Sequence, residues 1–350
     1  MDRAFVTGGS GFIGRPLIRR LIGEGHSVSA LVRSDEAAAV VAALGADPVK
    51  GQLEDASTYA TAASGADVFF HLAAQTDVAA ELDSHVAVTV NGTKAALDAA
   101  RSASVPIFVH TGTEAALLAG DPLVGVDETA PLRPDSPAHY SATKAMAEQM
   151  VLDADSPALR TVVVRPRFVW GPDSNLIGAL VGLAQAGKFA WIDGTHVTTD
   201  VTHVDNAVEG HLLAWNHGRG GEAYFITDDQ RADLHDFLAE QFEAYGVEVP
   251  TADLTREQAS LIDVPFRWFF SQECTLVIDK AKAQLGYAPV RPRDEAVAEI
   301  RRINGVREAN ATSGGQSGGL PGGANSGDQS QQTQRHFGQR TSRTSSYRRL

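Results

Sequence analysis

Apolar positions in the first two-thirds of the chain follow two alternating rhythms. Short, nearly continuous Val/Ile/Phe-rich runs at 3–7, 27–32, 47–51, 67–72, 106–110 and 160–164 predict strands. Between them, residues 12–22, 35–44, 56–64, 81–102 and 137–153 carry helical spacing or alanine-rich helical composition. Strands that are apolar on both faces and alternate with helices predict a doubly wound parallel α/β sheet covered on both sides. After Arg165 the alternation breaks down. A Gly/Pro-rich loop spans 169–175, and helices and short strands are mixed from there to Arg302. Residues 198–201 and 223–227 are expected to return to the sheet. The organisation expected is a dinucleotide-binding domain over 1–166, joined by later segments near 198–217 and 223–227. Residues 167–308 then form mostly a smaller C-terminal substrate lobe over the carboxyl ends of the strands, where ligands bind in open α/β sheets.

The last 42 residues break the pattern altogether. From Ala309 onward the chain is rich in Gly, Ser and Gln and carries five arginines against one acid, Asp328, in a protein of net charge −13. Too little apolar surface is available to offset ordering entropy, so 309–350 reads as a disordered basic tail. The acidic remainder argues against nucleic-acid binding. No run of apolar residues is long enough to span a membrane. No secretory signal opens the chain, so a cytoplasmic location is expected. A single cysteine, Cys274, excludes an intrachain disulfide and a cysteine-rich metal site.

The first strand runs into Thr7-Gly8-Gly9-Ser10-Gly11-Phe12-Ile13-Gly14. Glycines at this spacing, after a strand and opening a helix, let the backbone approach a pyrophosphate at a helix N-terminus. This makes the sheet a Rossmann layer and predicts NAD or NADP as cofactor. The second strand ends with Arg33 where an acid would accept the ribose 2′-hydroxyl. A guanidinium there fits a 2′-phosphate, so NADP is slightly favoured; the nearby Asp35 is the alternative ribose partner.

Tyr140 and Lys144 sit one helical turn apart after the fifth strand and share a face. An ammonium beside a phenol stabilises phenolate and suits the tyrosine to acid/base work. Together with His71-Leu72-Ala73-Ala74, Arg165-Pro166, Trp170-Gly171-Pro172 and Thr202-His203-Val204-Asp205-Asn206, these motifs resemble the extended short-chain dehydrogenase/reductase superfamily over about residues 3–300. The last of them, with Tyr224-Phe225-Ile226-Thr227-Asp228, is most similar to its 3β-hydroxysteroid and sterol dehydrogenase branch. The resemblance implies a catalytic trio of Tyr140, Lys144 and Thr113, with Thr111 as the backup hydroxyl. It implies a cofactor site of Gly8, Gly11, Phe12, Ile13, Gly14, Arg33, Leu53, Ala73, Tyr140 and Lys144, and no metal. It also implies a homodimer through helices 81–102 and 137–153, with Ala95, Leu97, Met146 and Met150 on the pairing faces.

Two departures change what is expected. The family's relay asparagine is Thr89 here. A 4,6-dehydratase's second carboxylate is also missing, because Ala115 follows Glu114. His71 is expected to be a packed core histidine, and His203 and His211 match no zinc spacing. Phe168, Trp170, Trp191, Phe266, Trp268, Phe269 and Phe270 point to a large apolar, sterol-like alcohol or ketone as the small-molecule substrate. The rival readings are a nucleotide-sugar epimerase, whose second diphosphate Arg165, Arg167 and Lys188 would hold, and a non-catalytic NAD(P)-sensing protein.

Overall fold

The computed structural model describes residues 1–262 and 264–306. The tail expected over 309–350 lies outside them. Seven strands form one parallel sheet. They are β1 (Arg3–Thr7), β2 (Ser27–Val32), β3 (Asp47–Lys50), β4 (Val68–His71), β5 (Ile107–Thr111), β6 (Arg160–Pro166) and β7 (Glu222–Ile226). Their spatial order is β7-β6-β5-β4-β1-β2-β3. The order reverses between β1 and β4, which opens a crevice at the carboxyl ends of these strands.

Neighbouring residues of a strand serve opposite faces of the sheet. Val6 and Phe70 join the core on one side, with Ile18 and Leu21 of helix α1 (Gly14–Gly23). Phe5 and Phe69 join the core on the other, with Phe108 and Leu97. The rings of Phe5, Phe69 and Phe108 run across three strands at centroid distances of 5.0 and 5.2 Å. This two-sided burial explains the absence of alternation in the strand sequences. Helix α2 (Asp35–Ala43) starts where the Ser34 hydroxyl accepts the Ala37 N–H.

Three local expectations are corrected. The run expected as one helix over 81–102 contains a wide turn: Leu82–His85, then π-helical Val86–Asn91, then helix α3 (Gly92–Ser102). The extra residue in that turn brings Thr89 inside, where its hydroxyl accepts the Gln75 N–H at 3.0 Å. Residues expected as a helix over 56–64 form a 3₁₀ turn (Ala56–Thr58) and a single helical turn (Ala60–Ala63). Thr198–Thr199 does not join the main sheet. It pairs with Ala232–Asp233 and with Cys274, in a small four-stranded sheet that also holds Leu123–Val126. β7 and β3 are the edge strands of the main sheet. Helix α5 (Val204–His217) does pack on β5 and β6.

Helix α4 (His139–Asp153) lies beside α3. Ala95 and Leu97, expected on a pairing face, are buried within the chain at 7% and 3% exposure. Leu97 completes the aromatic side of the sheet core. Of the four named residues only Met146 is exposed, with Met150 half-buried.

A second core lies beyond β6. It contains Phe168, Trp170, Trp191 and Phe270, with Phe189, Phe237 and Phe242. Four of the aromatic residues singled out for substrate contact are therefore structural. Phe266, Trp268 and Phe269, on the helix Val264–Ser271, stay half-buried. Among the described residues, no helix is long and apolar enough to cross a membrane.

Candidate active site

The glycine turn leaves β1 and opens α1. Gly8 has φ +74°, and a Cβ there would lie 2.8 Å from the backbone N of Ala73. A Cβ on Gly14 would lie 2.2 Å from the Gly8 carbonyl oxygen. The loop is thus packed backbone against backbone, with Ala73 at its side and Phe12 and Ile13 part-buried in the turn. Side chains would fill this cradle, so it fits a dinucleotide pyrophosphate at the α1 N-terminus. Leu53 is core: it is 6% exposed and packed over Gly92, and its carbonyl accepts the Tyr59 hydroxyl. Arg33 is exposed, and among the described residues no ion pair or hydrogen bond engages its guanidinium. Asp35, its rival for the ribose, is ion-paired to Lys50.

Tyr140 and Lys144 project from the first turns of α4 towards the end of β5. Lys144 is 3% exposed, and its ammonium donates to the Thr111 carbonyl at 2.6 Å. Burial lowers its pKa to about 8, against the pull of the Glu148 carboxylate one turn further on. Burial pushes the Tyr140 phenol above its ordinary value. The Glu114 carboxylate pushes the same way.

The two threonines are distinguished by their protons. His211 Nδ1 faces the Ala207 carbonyl at 2.7 Å and must donate to it. Its Nε2 therefore accepts, and the Thr111 hydroxyl donates to it at 2.7 Å. Thr111 is committed to His211, whereas the Thr113 hydroxyl donates to Glu114 and accepts the Ala115 N–H.

Several residues are brought together to which the sequence reading gave no place in this site. Glu114 is 3% exposed and accepts from the Thr113 hydroxyl at 2.8 Å and from Arg167 Nη1 at 2.6 Å. Glu148 accepts from Arg165 Nε at 2.6 Å, and its pKa is raised by burial against that pairing. His85 is buried, edge-on to the Tyr140 ring at 6.2 Å, and neither ring nitrogen has a partner among the described residues. The signal for Glu114 was its place next to Thr113. For Glu148 it was the i, i+4 spacing from Lys144. Nothing in the sequence marked His85.

Arg165 and Arg167 are 2% and 4% exposed and locked in these ion pairs, so they are not free to hold a second diphosphate. His71 is a fully buried core residue between the Thr7 and Thr93 hydroxyls, at 2.7 and 3.0 Å. His203 accepts the Asp205 N–H as the cap of α5. Among the described residues, one group gathers metal-type donors, and it lies elsewhere: His196, Asp233, His235 and Asp236.

A glycine turn packed for a dinucleotide, with a Tyr-x-x-x-Lys pair at the carboxyl end of the same parallel sheet, defines the short-chain dehydrogenase/reductase architecture. The chain belongs to the 3-beta hydroxysteroid dehydrogenase/isomerase family, which it matches over residues 5–256. It is 42% identical over 306 residues to the 4-hydroxy-2-methyl-3-oxo-4-farnesyl-3,4-dihydroquinoline-1-oxide ketoreductase of Stigmatella aurantiaca, covering 82% of this chain and 92% of that one. It is 34% identical to the 2-alkyl-3-oxoalkanoate reductase of Stenotrophomonas maltophilia, over 70% of this chain and 76% of the relative. Its fold is shared with the UDP-glucuronic acid 4-epimerase of Bacillus cereus solved with NAD. The TM-score is 0.70 at 20% identity, over 86% of this chain and 99% of that one. The chain is an oxidoreductase of the extended short-chain type.

Proposed function

We propose that the protein is an NAD(P)-dependent ketoreductase, acting on a ketone of a small, largely apolar molecule. The observation that carries this reading is a phenol one helical turn from a buried ammonium that reaches the Thr111 carbonyl at the end of β5, with the phenol pKa raised by burial and by Glu114. Such a phenol is protonated at neutral pH and suits proton donation to a carbonyl oxygen. A nicotinamide dinucleotide bound on the glycine turn supplies the hydride. Tyr140 gives the proton, Lys144 supports the phenol and holds the ribose hydroxyls, and Thr113 fixes the oxygen positions. Phe266, Trp268 and Phe269 offer half-buried apolar surface to the substrate. The names of the two reductase relatives specify 3-oxo substrates, one bearing a farnesyl group and the other an alkyl group.

The reading is tested by following cofactor oxidation with a 3-ketosteroid, a 2-alkyl-3-oxoalkanoate and a 3-oxo-dihydroquinoline, and by assaying UDP-glucose epimerisation alongside. Cofactor consumption with at least one ketone is expected. Epimerisation with no ketone reduced would sink the reading. Binding of cofactor without turnover of any kind would favour the sensor alternative.

We further propose NADP over NAD, because the Arg33 guanidinium is exposed and has no partner among the described residues while Asp35 is tied to Lys50. Wild type is expected to bind NADPH more tightly than NADH in a fluorescence titration. Arg33→Asp should lose about one to two orders of magnitude in NADPH affinity, the value of a charge-assisted pair. Tighter NADH binding by wild type would rule the preference out.

A further inference from the structure

The short ladder of the small sheet gathers four metal-type side chains that take no part in the candidate active site. Thr198 pairs with Asp233 and Thr199 with Ala232, antiparallel. The Leu234 N–H then donates to the Val197 carbonyl at 2.9 Å, which carries the pairing one residue further. This brings His196 level with His235, and their rings stack at 4.6 Å with 30° between planes. The Trp191 ring packs against His235 at 4.2 Å. Asp233 caps the helix Leu234–Ala244 by accepting the Asp236 N–H at 3.1 Å. The first turn of that helix sets Asp236 Oδ1 at 3.5 Å from His235 Nδ1. One donor atom from each of His196, Asp233, His235 and Asp236 lies within 4.8 Å of all the others.

We propose that these four side chains bind one divalent ion of the zinc type, which clips the loop ending at His196 to the start of the helix Leu234–Ala244. Two imidazoles with two carboxylates form a donor set for a borderline ion, whereas magnesium and calcium take oxygen ligands. A tetrahedral zinc ion sets its N and O donors about 3.3–3.5 Å apart, so the widest separation here must close by at most about 1.5 Å. Both carboxylate oxygens of Asp233 already lie 3.2 and 3.3 Å from His196 Nδ1. His196 and Asp236 are exposed, so their side chains rotate inward at little packing cost.

Charge favours the same reading. A helix N-terminus by itself repels a cation, and the two carboxylates reverse that sign. Among the described residues, no lysine or arginine forms an ion pair with Asp233 or Asp236; their partners are the two histidines. Capping the helix accounts for Asp233 alone. The ladder that the ion would brace also carries Thr199, whose hydroxyl accepts from Arg167 Nη2 at 3.2 Å. The ion therefore supports the lobe and touches neither cofactor nor substrate, and the inference stands independently of the ketoreductase reading.

The test uses the full chain without a purification tag, stripped with EDTA and titrated with zinc by calorimetry. Wild type is expected to take up one zinc per chain with a Kd of about 10 µM or tighter, and to melt several degrees higher at saturating zinc. Cobalt(II), as a coloured substitute for zinc, should give the visible absorption of a four-coordinate site and quench Trp191. The variant Trp191→Phe should lose that quench and keep the binding. His196→Ala removes an exposed ligand, and His235→Phe keeps a ring against Trp191 while removing the other imidazole. Each should weaken zinc binding at least about tenfold and abolish the rise in Tm, while the metal-free Tm stays close to wild type. Binding to wild type weaker than about 10 µM overturns the proposal. So does a smaller than tenfold loss in either histidine variant, because the ion would then sit elsewhere in the chain.

Discussion

Tyr140→Phe should bind cofactor as wild type does and turn over about two to four orders of magnitude more slowly. The substitution deletes one oxygen and leaves the ring, which is packed edge-on to His85. No backbone group depends on the phenol, so the fold has nothing to lose. What disappears is the phenol proton, one helical turn from the Lys144 ammonium. Lys144 is a poor substitute, since its ammonium is assigned to the ribose and is anchored on the Thr111 carbonyl. Thr113 cannot substitute, since its proton is given to Glu114. Thr113→Val should therefore lower turnover less than Tyr140→Phe, through loss of alignment rather than of the proton. Thr111→Val should disturb mainly the contact with His211. Steady-state kinetics at saturating cofactor, with circular dichroism as a folding control, measure these effects. Near-normal turnover by Tyr140→Phe would falsify the acid assignment.

The sheet was legible because its strands are buried on both faces. Val162, Val163 and Val164 are all 0% exposed, and such runs admit few other readings. The glycine turn was legible because backbone–backbone contact leaves no room for side chains at Gly8 and Gly14. Less visible were features made by only one or two residues. The Thr198–Thr199 ladder is two residues long, too short to show a period, and the residues themselves did not say which sheet it joins. The π-helical turn at Val86–Asn91 keeps helical composition and changes only the hydrogen-bond register. Ala95 and Leu97 read as spare apolar surface because sequence periodicity cannot say which side of a helix meets its own sheet. Arg165 and Arg167 read as free cations for the same kind of reason. Their partners Glu148 and Glu114 lie 17 and 53 residues away. Burial, which decides whether a cation is available or spent, is a property of the packed molecule.

Lys144→Met should lose turnover and gain stability together. Methionine fills nearly the same volume without the charge. In the folded protein the Lys144 pKa is about 8, against 10.5 for an ordinary lysine, chiefly because of burial. The unfolded chain thus holds this proton more tightly than the folded one. Stability contributed by this group rises as pH climbs from about 8 towards 10.5, and below pH 8 the full penalty of the buried charge is present. Removing the charge at pH 7 should relieve a cost of order 3 kcal/mol, a figure already net of the attraction to Glu148, and the loss of the hydrogen bond to the Thr111 carbonyl offsets part of it. A rise in Tm is therefore expected, measured by calorimetry. Turnover should fall by about two orders of magnitude or more, and cofactor affinity with it, since the ammonium is assigned to both the phenol and the ribose. The wild-type rate should also decline as pH rises through about 8, where the ammonium is lost, while the residual rate of Lys144→Met stays flat there. A variant that is both inactive and less stable would point to a packing role for Lys144. A variant that is more stable but fully active would remove the lysine from the mechanism altogether.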